Sequence, residues 1–244
     1  MGGLLILALF SYPLYGAIAY VNAASHDTGG VGGTQVSAPA TSHTTGNLLY
    51  VTVMMDTYCG GRAVSVSDTA SNSYTQIGTV LDSGFTCQAQ FYANNITGNA
   101  SNVVTATWST PSGMFLAISV LQFSGVDSAS PLDASATGTA TSATLVTSGT
   151  FSTATANQVL VAGGASYDYS RTWTADTGYA IPSGATTEYA FSTAQYKIVS
   201  STQTNVTASL TVSSSSAALS IMVATFKEAS GGGSPSALRR AVIQ

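Results

Sequence analysis

Along "TNVTASLTV" the apolar positions Val206, Ala208, Leu210 and Val212 alternate with Asn205, Thr207, Ser209 and Thr211. A period of two sends successive side chains to opposite faces of an extended chain, so this stretch predicts a strand with one wet face. Two other runs, "MFLAISVLQF" (114–123) and "ALSIMVATF" (218–226), are apolar on both parities. They predict central strands covered on both sides. Turn signals separate such runs throughout: "HTTGN" (43–47), "SDTASNS" (67–73), "NITGNASN" (95–102), "STPSG" (109–113) and "IPSG" (181–184).

Between these signals lie strand candidates at 47–55, 63–67, 74–81, 87–93, 102–108, 115–124, 133–139, 144–152, 158–166, 187–199, 204–212 and 217–227. No amphipathic helical period competes with them. Many short strands at this spacing predict an all-β sandwich or barrel, and one sandwich domain accounts for all of them. The segment "ASATGTATSATLVTSGTFSTATAN" (134–157) alternates apolar residues with Thr and Ser as exposed strands do. It lacks the fixed repeat that a threonine-ladder solenoid requires.

Composition supports a packed core, because 45% of residues are hydrophobic and only 7% are charged. Disordered chains show the reverse balance. The formal charge is −4, and Arg239-Arg240 is the one basic pair, so a phosphate-neutralising groove is excluded and no nucleic-acid partner is expected. Glu188 is the only Glu in the domain body among eight scattered Asp, too little for a pair of carboxylates across a glycosidase cleft, and it reads as an edge-strand charge. His26 and His43 fall in a polar N-terminal stretch with no scaffold for a Ser-His-Asp arrangement. A non-enzyme is therefore expected, with no cofactor. Asp68 and Asn72 are placed to close an Asx-type turn, and Asp127 and Asp133 to cap backbone N–H groups. The competing reading of these oxygens is a structural calcium site, for which the dense acidic run is missing.

The first 25 residues carry no charged side chain; Leu4 to Phe10 is apolar, and Pro13 and small residues follow. This is the layout of a secretory signal, with Ala17-Ile18-Ala19 and Val21-Asn22-Ala23 as candidate cleavage sites, or of an N-terminal anchor, since Gly3 to Val21 is just long enough to span a bilayer. A secreted, extracellular protein is expected, with membrane contact only if that segment is retained. Cys59 and Cys87 are the only cysteines, and in an exported chain such a pair predicts a disulfide, with free thiols or a metal pair as the competing readings. Residues 229–244 open with a Gly/Ser linker and end in "ALRRAVIQ", a frayed terminus or a strand lent to a neighbour.

"TTGNLLYVTV", "VSVSDTASNSYTQIG", "AQFYANNITGNASNVVTATWS", "ISVLQFSGVDSASPLDASA" and "VLVAGG" together resemble a β-sandwich module of secreted bacterial multidomain proteins and phage-associated proteins. That module is similar in layout to jelly-roll carbohydrate-binding and laminin-G-like modules, so the resemblance implies an antiparallel two-sheet sandwich of jelly-roll-like layout over residues 17–228. The resemblance implies that "AIAYVNAASHD" is the first strand and that cleavage falls near Gly16 to Ala19 rather than after Ala23, which leaves residues 1–16 as the signal or anchor. It brings no catalytic residues.

One stretch concentrates aromatic and charged residues: "GGASYDYSRTWTADTGYAIP" (163–182). Trp173 and Tyr179 alternate with Thr, which predicts a core role for at least one ring. Tyr167, Asp168, Tyr169 and Arg171 follow an apolar strand and should occupy a loop tip, with Tyr58 and Arg62 beside Cys59 adding to it if both loops share one end. Aromatic rings stack on sugar faces while carboxylate and guanidinium groups bond hydroxyls, so the tip suits a glycan or surface polymer. The competing reading is an ordinary surface loop held by a local Asp168–Arg171 pair. The functional expectation is a non-catalytic glycan- or cell-surface-binding module. The alternative is a structural subunit of an extracellular filament, surface layer or phage particle, whose partners are copies of itself joined through sheet edges and terminal segments.

Overall fold

The computed structural model describes residues 16–112 and 115–229. The leader and the Gly/Ser tail expected from the sequence lie outside these residues, save Gly16 and Ala229. All regular structure among the described residues is β, in fifteen strands. The first ten are β1 (Ala19–Asp27), β2 (Gly33–Ser37), β3 (Thr41–His43), β4 (Leu48–Met55), β5 (Val64–Asp68), β6 (Thr75–Asp82), β7 (Cys87–Ala93), β8 (Asn99–Asn102), β9 (Val104–Ser112) and β10 (Leu116–Ser124). There follow β11 (Leu132–Thr147), β12 (Gln158–Ser166), β13 (Trp173–Ala175), β14 (Ser192–Val199) and β15 (Ser209–Lys227).

Two antiparallel sheets stack face to face. The first runs β1-β10-β4-β7-β6; the second runs β11-β15-β12-β14, with β13 also pairing β15. A smaller sheet, β2-β9-β5, covers the outer face of the first, and β3 pairs β8 beside it. Every residue of β4 is buried because its two parities face different cores. Leu49, Val51, Val53 and Met55 pack with Val36, Val104, Ala106 and Trp108 under the small sheet. Leu48 and Tyr50 point the other way, onto Val159, Val161, Ala224 and Phe226 of the second sheet. Strands β10 and β15 are likewise buried on both faces where the sequence is continuously apolar. Each fully buried Leu, Ile or Phe contributes about 1.5–3 kcal/mol, so these layers carry most of the stability.

The seam between the two main sheets also holds buried polar groups. Ser220 Oγ donates to Gln88 Oε1 at 2.7 Å, and Gln88 Nε2 donates to Thr52 Oγ1 and to the Gly163 carbonyl at 3.1 and 3.0 Å. Tyr50 donates to Gln90 at 3.1 Å, and Gln90 donates to the Val223 carbonyl at 3.4 Å. The Ser220–Gln88, Gln88–Gly163 and Gln90–Val223 bonds cross from sheet to sheet and fix their register as apolar contacts alone do not.

The glycine pair inside "VLVAGGAS" has a steric cause on each face. A Cβ at Gly163 would lie 2.6 Å from Thr52 Cβ of the first sheet. One at Gly164 would meet Leu210 Cδ1 and the Trp173 ring, the latter at 3.2 Å. Leu210 reaches this outer face because β11 and β15 fold over it together. Strand β11 bends at Ser142, whose φ is +49°, and β15 skips from a pairing at Ser216 to one at Thr211 opposite the same bend. The run Ser213–Ser216 is that corner, where small polar residues let one strand pass between layers.

The corner corrects two expectations. Segments 133–139 and 144–152 belong largely to one strand, as do 204–212 and 217–227, because the bends leave the ladder continuous. The strand expected at 187–199 begins only at Ser192: Ala190 N–H bonds the Thr187 carbonyl at 2.8 Å in a turn, with Ala190 at φ +56°. The short strands β2, β3 and β8 lie where only turn or loop residues were expected.

Candidate functional site

Antiparallel register gathers one set of loops at one end. Met55 pairs with both Leu116 and Cys87, Asp82 with Cys87, Asp27 with Ala117, and Ala165 with Ser192. Met54, Ala117, Ala165 and Phe191 close the seam there in a small core against Phe115. The Tyr167–Thr172 segment leaves β12 above this plug. Ser166 Oγ donates to the Asp168 carbonyl at 2.8 Å, and Asp168 Oδ2 accepts from Ala217 N–H at 2.7 Å. The tip is therefore held from beneath by the serine-rich corner of β15.

Rings from four separate segments meet at this end. Tyr167 lies 5.2 Å from Phe85 of the β6–β7 turn. Tyr169 lies 6.3 Å from Phe115 and 5.9 Å from Phe191, and Phe115 is 6.3 Å from Tyr189. Of these rings Tyr169, Phe85 and Tyr189 are 59%, 47% and 46% exposed, respectively. Such a cluster is unusual for a surface with so few large apolar side chains free.

Charge is arranged around the rings. Arg171 and Asp168 form the anticipated local pair at 3.7 Å, and Arg171 also donates to Ser214 Oγ and, at 2.9 Å, to the Ser215 carbonyl. Asp56, next after β4, bonds through its N–H to the Phe115 carbonyl at 2.9 Å. It is almost fully buried, and among the described residues its Oδ1 has no hydrogen-bond partner. Burial, and secondarily the nearby Asp168 carboxylate, push its carboxyl up to about 6.

A second carboxylate pair clamps the rim. Tyr189 N–H donates to Asp27 Oδ2 at 2.8 Å, while Asp27 N–H donates to Glu188 Oε2 at 2.9 Å. His26 Nδ1 lies 3.0 Å from Glu188 Oε1. Burial alone would raise the Glu188 carboxyl, but the hydrogen bonds from His26 and backbone N–H groups outweigh it and hold the group low. Glu188 is thus a turn residue that ties β1 to the Tyr189 loop, in place of the edge-strand charge expected of it. His26 lies in β1, within the first strand that "AIAYVNAASHD" implies, and His43 lies in β3. His43 is buried at the far end of the molecule, where Asn102 Nδ2 lies 2.9 Å from its Nδ1.

Tyr58 and Arg62 stand at the same end but face the small sheet. Arg62 donates to the Tyr58 carbonyl and, at 2.7 Å, to Thr110 Oγ1 of β9. Tyr58 is 62% exposed, and among the described residues no ring contact or hydrogen bond joins it to Tyr167 or Tyr169. The disulfide Cys59–Cys87, with Cα atoms 4.9 Å apart, fastens this loop to the start of β7. Paired cysteines fit an oxidising compartment.

The expectation of a core role for at least one of Trp173 and Tyr179 is met by Trp173. Trp173 is buried and donates through Nε1 to the Ala190 carbonyl at 2.7 Å, which supports the Tyr189–Phe191 loop from below. Tyr179 lies partly open under Lys197, 5.7 Å from its ring centre. Asp68 accepts from Ala70 and Asn72 N–H at 3.1 and 2.9 Å, closing the anticipated turn. Asp127 caps Ala129 and Ser130, and Asp133 caps Ala154. Among the described residues no three His, Cys, Asp or Glu side chains form a group able to hold a metal ion.

The sequence pattern does not single out Phe85, Phe115, Tyr189, Phe191 or Asp56. Each lies just beyond a strand end, but only the sheet order shows that these ends are neighbours. Compared with protein-family models, curated proteins and solved structures, the chain matches none.

Proposed function

We propose that this chain is a secreted, non-catalytic module that binds glycan or cell-surface material at the aromatic end of the sandwich. The observation that carries the reading is the convergence of Tyr167 and Tyr169 with Phe85, Phe115 and Tyr189 from separate loops. Exposed rings set on rigid strand ends offer flat apolar faces at low entropic cost, which is what stacking on a sugar ring needs. Asp168 and Arg171 supply directional partners for hydroxyls beside them. The disulfide agrees with an extracellular setting.

Substitution of both Tyr167 and Tyr169 by Ala tests this on a glycan array with the folded chain. Binding should disappear while the thermal transition moves by no more than a few degrees, since Tyr169 is largely exposed. Binding retained in the double variant, or absent in the parent, overturns the reading.

Assembly through sheet edges has less support. The outer edge of β11 is occupied in part: Gly149 N–H bonds the Thr137 carbonyl at 2.9 Å, and Ala154 N–H bonds the Asp133 side chain at 2.7 Å. A blunted edge is a poor template for strand addition.

A further inference from the structure

Resting on the glycan reading of the aromatic end, we propose that the sugar it selects carries a free, protonated amino group. That end of the sandwich combines stacking rings with an excess of negative charge, and one oxygen of the Asp56 carboxylate there has no partner among the described residues.

Asp56 is the central observation. Alternation along β4 puts Met54 in the plug with Phe191 and Met55 in the opposite core. The next residue returns to the plug side, and its backbone bond to Phe115 keeps it in that ladder. Asp56 therefore points to the ring cluster. It is 6% exposed, and among the described residues its Oδ1 has no hydrogen-bond donor. A buried carboxylate oxygen without a donor is costly and rare. Nothing in the packing of the sheets requires an acid here, because Met54 and Ala117 already close the seam.

The groups around it do not cancel that charge. Asp168 lies close enough to raise the Asp56 carboxyl. Across the same end of the sandwich stand Asp27 and Glu188, with His26 on Glu188. Against these, Arg171 is engaged with Asp168 and the β15 corner, and Arg62 is turned to Thr110. A neutral sugar gains nothing from this field. An ammonium gains twice: it is attracted to the faces of Tyr169 and Phe115, and it can donate to the carboxylates that surround them. An acetylated amine keeps the shape of the sugar and loses both terms.

The test compares three soluble oligosaccharide series by calorimetric titration of the intact chain: glucosamine oligomers, N-acetylglucosamine oligomers and glucose oligomers. Conditions near pH 6.5 and about 0.15 M salt keep the amine charged and screen distant surface charge. Glucosamine oligomers should bind roughly tenfold more tightly than the acetylated series, in line with a partly desolvated cation on aromatic faces. Asp56→Asn and Asp168→Asn, singly, should each shrink that preference by about threefold or more, while Tyr169→Ala weakens all series together. Equal or better binding of the acetylated or neutral series overturns the inference and leaves the glycan reading standing. Absence of binding in all three overturns the inference, and the glycan array then decides the glycan reading on its own. An undiminished preference in the Asp56→Asn/Asp168→Asn double variant, shown to be folded by its near-ultraviolet spectrum, also overturns it.

Discussion

Replacing Asp56 by Asn should make the protein more stable, by an amount that grows with pH. In the unfolded chain this carboxyl titrates near its ordinary 3.8; in the fold, burial and Asp168 move it up to about 6. A native group that holds its proton more tightly than the unfolded one favours folding only while that proton stays on. Below pH 3.8 both states are protonated and the group is neutral in the balance. As pH rises from there, the unfolded chain ionises first and gains; above about 6 both are ionised and the full penalty remains. A gap of about two pH units at about 1.4 kcal/mol each gives about 3 kcal/mol at pH 8, falling to about 0.5 kcal/mol at pH 4. The isosteric amide carries no charge and escapes the penalty. Urea unfolding of parent and variant at both pH values should show midpoints close together at pH 4 and separated by about 1 M at pH 8, for a slope near 2–3 kcal/mol/M. Taking the difference between the two proteins removes other titrations, including buried His43, whose lowered ring pKa gives stability that is lost as pH falls. Coincident midpoints at pH 8, or a gap that widens on acidification, would refute the argument that Asp56 is an uncompensated charge.

The two adjacent glycines should respond unequally. Gly163→Ala drives a methyl against Thr52 Cβ, a branch point fixed in the opposite sheet, whereas Gly164→Ala meets the movable end of Leu210; the first should cost about 2–3 kcal/mol and the second about 1, measured by thermal or urea unfolding. Replacing Cys59 and Cys87 together by Ser removes a cross-link over a separation of 28 residues. The expected loss is about 3–4 kcal/mol, and reducing agent should reproduce it in the parent. Asp68→Ala strips the acceptor from Asn72, Asn102 and Tyr74 at once, and should destabilise by several times as much as Asp127→Ala, which frees only the backbone N–H groups of one exposed turn. Although burial opposes it, these hydrogen bonds lower the Asp68 carboxyl, so its contribution is present above pH 3.8 and disappears as pH falls further. Unfolding followed below that point should show the parent approaching the variant.

The strands most legible in the chain are those whose two faces meet different cores or whose ends are marked by turns. Cys87–Ala93 and Gln158–Ser166 fall on the residues predicted for them. Strands that bend are less legible, because a period of two continues through Ser142 and through Ser213–Ser216 while the ladder changes layer. The third layer was hidden for a related reason: β2, β5 and β9 show one wet face, which says that something covers the other face but not which strand does. At the aromatic end, composition drew attention to Tyr167 and Tyr169 because they are close in sequence. Phe85, Phe115 and Tyr189 join them only through pairings such as Met55 with Leu116 and Ala165 with Ser192. Asp56 gave no signal at all, since a lone acid after an apolar strand ordinarily marks a solvated turn.

The first sheet and its cover use only residues 19–124, and the second uses only 132–227. A chain emerging from the ribosome thus delivers one complete half, with its own apolar interior under β2, β5 and β9, before β15 exists to organise the other. Until that final strand arrives, β11, β12 and β13 lack their common partner, and the amides of Gln88 and Gln90 face water across an unfinished joint. Maturation should therefore proceed as a fast local closure followed by a slow one gated by the last-made strand, and nascent chains halted before residue 209 should be those that need chaperones.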